Sequence, residues 1–96
     1  MLLQGKLSKR DKYLRKKYGI TEAEYNKMAN AQHGVCGLCG RPPKTRSLSV
    51  DHDHGTGRVR GLLCYNCNRR LIGRFRRPDL FRKAAEYLER KKAVGL

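Results

Sequence analysis

Apolar positions recur along this chain at two spacings, and the change of spacing predicts the order of its elements. Leu14 and Tyr18 lie four apart in a segment otherwise rich in Arg and Lys, which predicts a helix over Lys9–Tyr18. Ser8 is a suitable N-cap for it, and Gly19 a suitable C-terminal stop. Tyr25, Met28 and Ala29 repeat the helical spacing behind Thr21-x-x-Glu24, a capping box. A second helix is therefore expected over Glu22–Gln32, with those three side chains in the core and His33-Gly34 as its end. From Ser47 the period falls to two. Leu48 and Val50 alternate with Ser47 and Ser49, predicting a short strand that reaches Asp51. His54–Gly57 reads as a loop. Arg58–Leu63 reads as the returning strand, with Arg58 and Arg60 on one face. A helix is expected from the Cys64–Cys67 pair to about Ile72, ending near Gly73. Pro78-Asp79 opens a last helix, to about Lys91. Its Leu80, Phe81, Ala84, Ala85 and Leu88 form an apolar face expected to pack on the same domain, with a dimer as the other use. Residues 1–7 carry no such pattern and are expected to fray.

Four cysteines change the picture. Cys36-Gly37-Leu38-Cys39 and Cys64-Tyr65-Asn66-Cys67 are two Cys-x-x-Cys knuckles separated by 24 residues. Four thiolates presented in this way match tetrahedral zinc, with Zn–S distances near ~2.3 Å. None is left over and no coordination position stays open, so the role is structural. Disulfides or redox dithiols are the competing reading, and a reducing cytoplasm favours metal. With 96 residues, 39% hydrophobic and no Trp, the core is small, and zinc would supply much of the folding free energy.

Charge narrows the partner. The formal net charge is +15, and residues 1–34, 35–73 and 74–96 each carry a net +5. A domain basic throughout is suited to a polyanion, of which nucleic acid is the commonest. On the first helix Arg10, Lys12, Arg15, Lys16 and Lys17 read either as a phosphate-contacting arm or as a solvated face. No apolar run approaches the ~18–20 residues of a membrane span, and Met1-Leu2-Leu3 is too short for a signal-peptide core. The expected location is the cytoplasm.

Asp51-His52-Asp53-His54 lies between the knuckles, and Asn68 directly follows Cys67. A zinc ion tying the knuckles together would hold Asn68 against the hairpin and bring Asp51 and Asn68 to one metal. Carboxylate and amide oxygens with water suit magnesium or manganese. A neutral imidazole beside them can accept a proton from water. Strict alternation would put Asp51 and His52 on opposite faces, so the strand has to end or bend there. The plainer alternative is a polar turn that happens to hold ligand-type residues. A non-catalytic zinc-ribbon protein binding DNA or RNA would share the charge and the cysteines, but gives no reason for Asp51, His52 and Asn68.

The stretch VDHDHGTGRVRGLLCYNCN resembles the signature of the phage recombination endonuclease VII family, a branch of the HNH, ββα-metal nucleases. YGITEAEYNKM and HGVCGLCG resemble that family's approach to its first knuckle, so the likeness covers roughly residues 8–90. It implies a small α+β fold in one domain over residues 1–96. That domain comprises a helical arm (8–33), a zinc-bound ββα-metal core (35–73) and a C-terminal helix (78–92). It implies zinc on Cys36, Cys39, Cys64 and Cys67, and catalytic magnesium or manganese on Asp51 and Asn68. His52 becomes the general base and His54 a second histidine near the scissile phosphate, while Asp53 receives no firm role. The implied reaction is DNA hydrolysis to 5′-phosphate and 3′-hydroxyl. Arg58, Arg60, Arg69 and Arg70 are candidate phosphate contacts, with solvated surface as the alternative for each. The expected substrate is duplex, branched or nicked DNA in a bacterial host. The expected state is a monomer or weak dimer, since no second apolar stripe remains, and action within a phage assembly is a further reading. The junction-resolving relative has a long dimer-building region beyond its nuclease core, where this chain stops at Leu96.

Overall fold

A computed structural model describes residues 7–93 and residue 95. The expected fraying of residues 1–7 therefore falls, Leu7 apart, outside the described residues. The element order is α1 (Lys9–Tyr18), α2 (Glu22–Ala31), β1 (Ser49–His52), β2 (Val59–Leu63), a π-helical segment (Asn66–Ile72) and α3 (Pro78–Glu89). This is a small α+β fold with a two-stranded sheet among the described residues.

The helix ends form where the local chemistry places them. The Ser8 hydroxyl accepts the Asp11 N–H, and Gly19 closes α1 in the left-handed region at φ 72°. Both halves of the Thr21–Glu24 capping box are made. α2 ends one residue earlier than expected, with Gln32 as its cap, and His33 and Gly34 both take positive φ. Asp11 joins the two helices: its buried carboxylate accepts the Glu22 N–H at 2.7 Å and pairs with Arg15.

The core is one cluster around Leu14, Tyr25, Leu48, Val50, Leu62 and Leu63, with Cys36 and Cys67 at its edge. Met28 and Ala29 pack against it half-buried. The Tyr25 hydroxyl donates to the Leu48 carbonyl, so the ring covers β1 and its polar end is satisfied there. Leu62 is fully buried, a contribution of about 1.5–3 kcal/mol. Gln32 binds β2 as a strand would: its amide accepts the Leu62 N–H and donates to the Leu62 carbonyl, both at 2.9 Å.

The hairpin is antiparallel and irregular at one point. Asp51 pairs with Gly61 and His52 with Val59, which leaves Arg60 as an extra residue, a β-bulge. Arg58 precedes the strand, so the regular alternation that would set Arg58 and Arg60 on one face is broken. Asp53 builds the turn, accepting the Gly55 and Thr56 N–H groups. Those same backbone donors, Thr56 first, hold its carboxyl below the ordinary range.

The last helix departs from expectation. α3 stops at Glu89 and buries none of its residues. Leu88 is 80% exposed, and Leu80 and Phe81 are half-buried. The hairpin's apolar side chains already pack with Leu14 and Tyr25, so the core closes without Leu88. Only the start of α3 meets the body, where Pro78 and Phe81 face Leu38, Leu71 and Ile72 across a cavity of about 390 Å³. The reason for expecting a monomer, that this face is used up on the core, is thereby removed.

Candidate active site and metal centre

The four cysteines converge as their spacing predicts. The Cys36 thiol accepts N–H groups from Leu38 and Cys39, and the Cys64 thiol accepts the Cys67 N–H, so each knuckle wraps around its first sulfur. All four Sγ atoms lie within 4.8 Å of one another, and Cys39 and Cys64 are 3.9 Å apart. A tetrahedral zinc site requires sulfurs about 3.8 Å apart, whereas a disulfide requires about 2.0 Å. The cysteines are unbridged. Burial pushes the Cys36 thiol up, but the surrounding backbone donors outweigh it and bring it down to about 6. Burial, reinforced by the neighbouring sulfurs, pushes Cys67 up to about 12. Crowded sulfurs that resist sharing negative charge among themselves fit a divalent cation at their centre.

A second convergence lies where the hairpin meets the π-helical segment. Asp51, His52, His54 and Asn68 line one cavity of about 420 Å³. Asp51 and His52 both reach this space at the point where β1 ends and its register with β2 slips. The His52 and His54 rings stack at 4.7 Å with 9° between their planes, and the Tyr18 ring meets His52 edge-on at 5.4 Å. Asn68 comes from the π-helical segment, where the Gly73 N–H reaches back five residues to the Asn68 carbonyl at 2.8 Å. A Cβ on Gly73 would stand 2.6 Å from that carbonyl oxygen.

The rim is basic. Lys17, Arg60, Arg69 and Arg76 line the cavity, whereas Arg58 and Arg70 are exposed and outside its lining. Arg60 turns onto Asp51, donating Nε to Oδ2 at 2.8 Å and Nη2 to Oδ1 at 3.1 Å. The basic side chains of α1 divide. Lys17 faces the cavity, Arg15 pairs with Asp11, and Arg10 lies 4.3 Å over the Tyr25 ring. Sequence reasoning missed Tyr18 and Arg76 as cavity residues, and no local pattern marks them.

The model of recombination endonuclease VII matches residues 11–90, which include both knuckles, the hairpin and the whole π-helical segment. The chain belongs to the recombination endonuclease VII family. Among curated relatives, the Gene 59 protein of Mycobacterium phage L5 is 48% identical over 79 residues, and that of Mycobacterium phage D29 is 46% identical over the same length. Each match covers 80% of this chain and 48% of the relative, so the chain spans about half the length of the curated relatives it matches. Among the described residues no helix is long and apolar enough to cross a membrane.

Proposed function

We propose that this endonuclease VII family member is a metal-dependent DNA endonuclease of the ββα-metal, HNH type. The observation that carries the reading is the convergence of Asp51, His52, His54 and Asn68 on one basic cavity. One buried carboxylate and one amide are hard oxygen donors, which fit magnesium or manganese completed by water. Asp51 and Asn68 would hold the ion, and when bound it supplies Lewis-acid stabilisation of charge on the phosphate and the leaving oxygen. His52 accepts the proton of the attacking water, its ring fixed between His54 and the edge of Tyr18. His54 contributes its second imidazole beside the scissile phosphate. Lys17, Arg60 and Arg69 hold the backbone at the rim, and Arg58 and Arg70 extend that contact outward. In-line displacement gives 5′-phosphate and 3′-hydroxyl ends. Strands β1 and β2 and the π-helical segment fill the places of the ββα unit, with the four-thiolate zinc as its structural clamp and the flanking helices in the same domain.

The substrate is duplex, branched or nicked DNA, and the setting a phage-infected bacterial cytoplasm. A plasmid-nicking assay with zinc-loaded protein tests the reading. Nicking should require added magnesium or manganese and be lost in His52→Ala. DNA binding without nicking under any divalent ion would reject it in favour of a zinc-ribbon binding protein.

A further inference from the structure

The proposed ion ligand Asp51 already has a cationic partner. It is the sole carboxylate lining the cavity among the described residues, and four cations line the same space. Arg60 engages both of its oxygens and adds a 3.3 Å contact to the His52 carbonyl. The two partners are unequally fixed. The Asp51 side chain is 12% exposed and lies in a paired stretch of strand, whereas the Arg60 side chain is 45% exposed and hangs from a bulge. A divalent ion needs the charge and lone pairs of that carboxylate, and a guanidinium on both oxygens opposes it. A phosphodiester offers the same guanidinium another planar pair of oxygens.

Resting on the nuclease reading above, we infer that Arg60 is an exchangeable plug on Asp51. Its guanidinium holds the carboxylate until a DNA phosphate draws it away, so that divalent-ion binding and DNA binding strengthen one another. The bulge is what makes the exchange possible. A regular strand would point residue 60 to the opposite face from residue 61's neighbours at Asp51, while the extra residue gives Arg60 the reach to swing between carboxylate and phosphate. Linkage makes the coupling reciprocal: the factor by which DNA raises ion affinity equals the factor by which the ion raises DNA affinity.

The test uses the full, zinc-loaded chain carrying His52→Ala, so that DNA stays uncut. Manganese binding without DNA is read by electron paramagnetic resonance. Affinity for a fluorescent duplex is read by anisotropy, with and without manganese at fixed ionic strength. With Arg60 present, manganese should tighten DNA binding by at least about fivefold, the lower end of ordinary coupling. Arg60→Met should bind manganese more tightly than its Arg60 parent in the absence of DNA, and its coupling should fall severalfold, to what the ion's own contact with the phosphate supplies. Arg60→Lys keeps the charge but not the fork, so it should fall between them, and it also answers for any folding defect in the Met variant. Zinc content and circular dichroism establish that each variant is folded. Manganese affinity equal in Arg60, Arg60→Lys and Arg60→Met proteins, or coupling as large in Arg60→Met as in its Arg60 parent, overturns the plug and leaves the nuclease reading standing. If Asp51→Asn has no effect on manganese binding in any of these proteins, both readings fall.

Discussion

Two candidate cation sites share one frame, and they differ in what surrounds the ion. The thiolate site takes two ligands from each knuckle and has only sulfur around its centre. The oxygen site takes one residue from β1 and one from the π-helical segment, and its carboxylate is already neutralised by Arg60. Without a cation the first is a crowd of like groups, while the second is a completed ion pair. Structural zinc of this kind is worth roughly 10–16 kcal/mol in apparent binding free energy, comparable with the whole stability of a small domain. On the proposed reading the oxygen site should therefore gain and lose its ion with the fold intact, whereas the thiolate site should not. On the proposed reading, what separates the structural from the catalytic metal is the completeness of the protein's own charge balance, as much as the identity of the donors.

The largest effect should follow loss of one sulfur. Cys64→Ser should lose zinc and unfold, so that DNA binding and nicking vanish together, as read by circular dichroism and zinc content. A folded, zinc-free Cys64→Ser protein would show that the thiolate site is dispensable. His52→Ala should retain zinc, helicity and DNA binding while nicking falls by about 10²–10⁴, the usual worth of a positioned general base. Mild chelation should mimic it, stopping nicking without a change in circular dichroism. Wild-type nicking by His52→Ala would remove the imidazole from the mechanism.

Gly73→Ala probes the frame between the two sites. Its new methyl would collide with the Asn68 carbonyl at 2.6 Å, and the contact is backbone, which cannot rotate away. We expect a loss of about 1–3 kcal/mol, typical of overpacking, together with nicking that is partly rescued by high magnesium as Asn68 shifts. Zinc should stay bound, because the displaced turn begins beyond Cys67. Denaturant melts and a magnesium titration measure both effects. A variant with unchanged stability and unchanged magnesium dependence would show that the π-helical turn does not position Asn68.

The parts of this arrangement legible in the sequence are those set by neighbours along the chain. The caps of α1 and α2, the knuckles and the two strands each depend on residues within a few positions, and each forms within about two residues of its expected place. The meeting of Asp51 and Asn68, 17 residues apart, was legible only through the cysteines that bracket it. The bulge was not, because Val59-Arg60-Gly61 reads as ordinary strand, although the Asp51–His52 conflict showed that some irregularity was needed. Gln32 was not legible either, since its partner Leu62 lies 30 residues away and an amide carries no spacing signal. α3 shows the limit of amphipathicity as a guide. An apolar face says that a helix can be covered, and the supply of uncovered core decides whether it is.

The smallest expected effect concerns α1, which supplies Lys17 and Tyr18 to the oxygen site and nothing to the thiolate site. Asp11 secures that helix by accepting the Glu22 N–H and pairing with Arg15. The Glu22 hydrogen bond first, and the Arg15 contact second, hold its carboxyl below the ordinary 3.8. The folded value is thus below the unfolded one, so the carboxylate's contribution is complete above the unfolded value and is lost as pH falls through the folded value. Asp11→Asn preserves the shape and can still accept from Glu22, but it lacks the charge. It should raise amide exchange in α1 and weaken DNA cleavage a few-fold while zinc content stays at the wild-type level. The difference between the two proteins should be flat from about pH 8 to about pH 5, since the native carboxylate is ionised across that range. Exchange measured across that window decides the point. A difference that changes steadily within it would mean that another titrating group, rather than Asp11, governs the docking of α1.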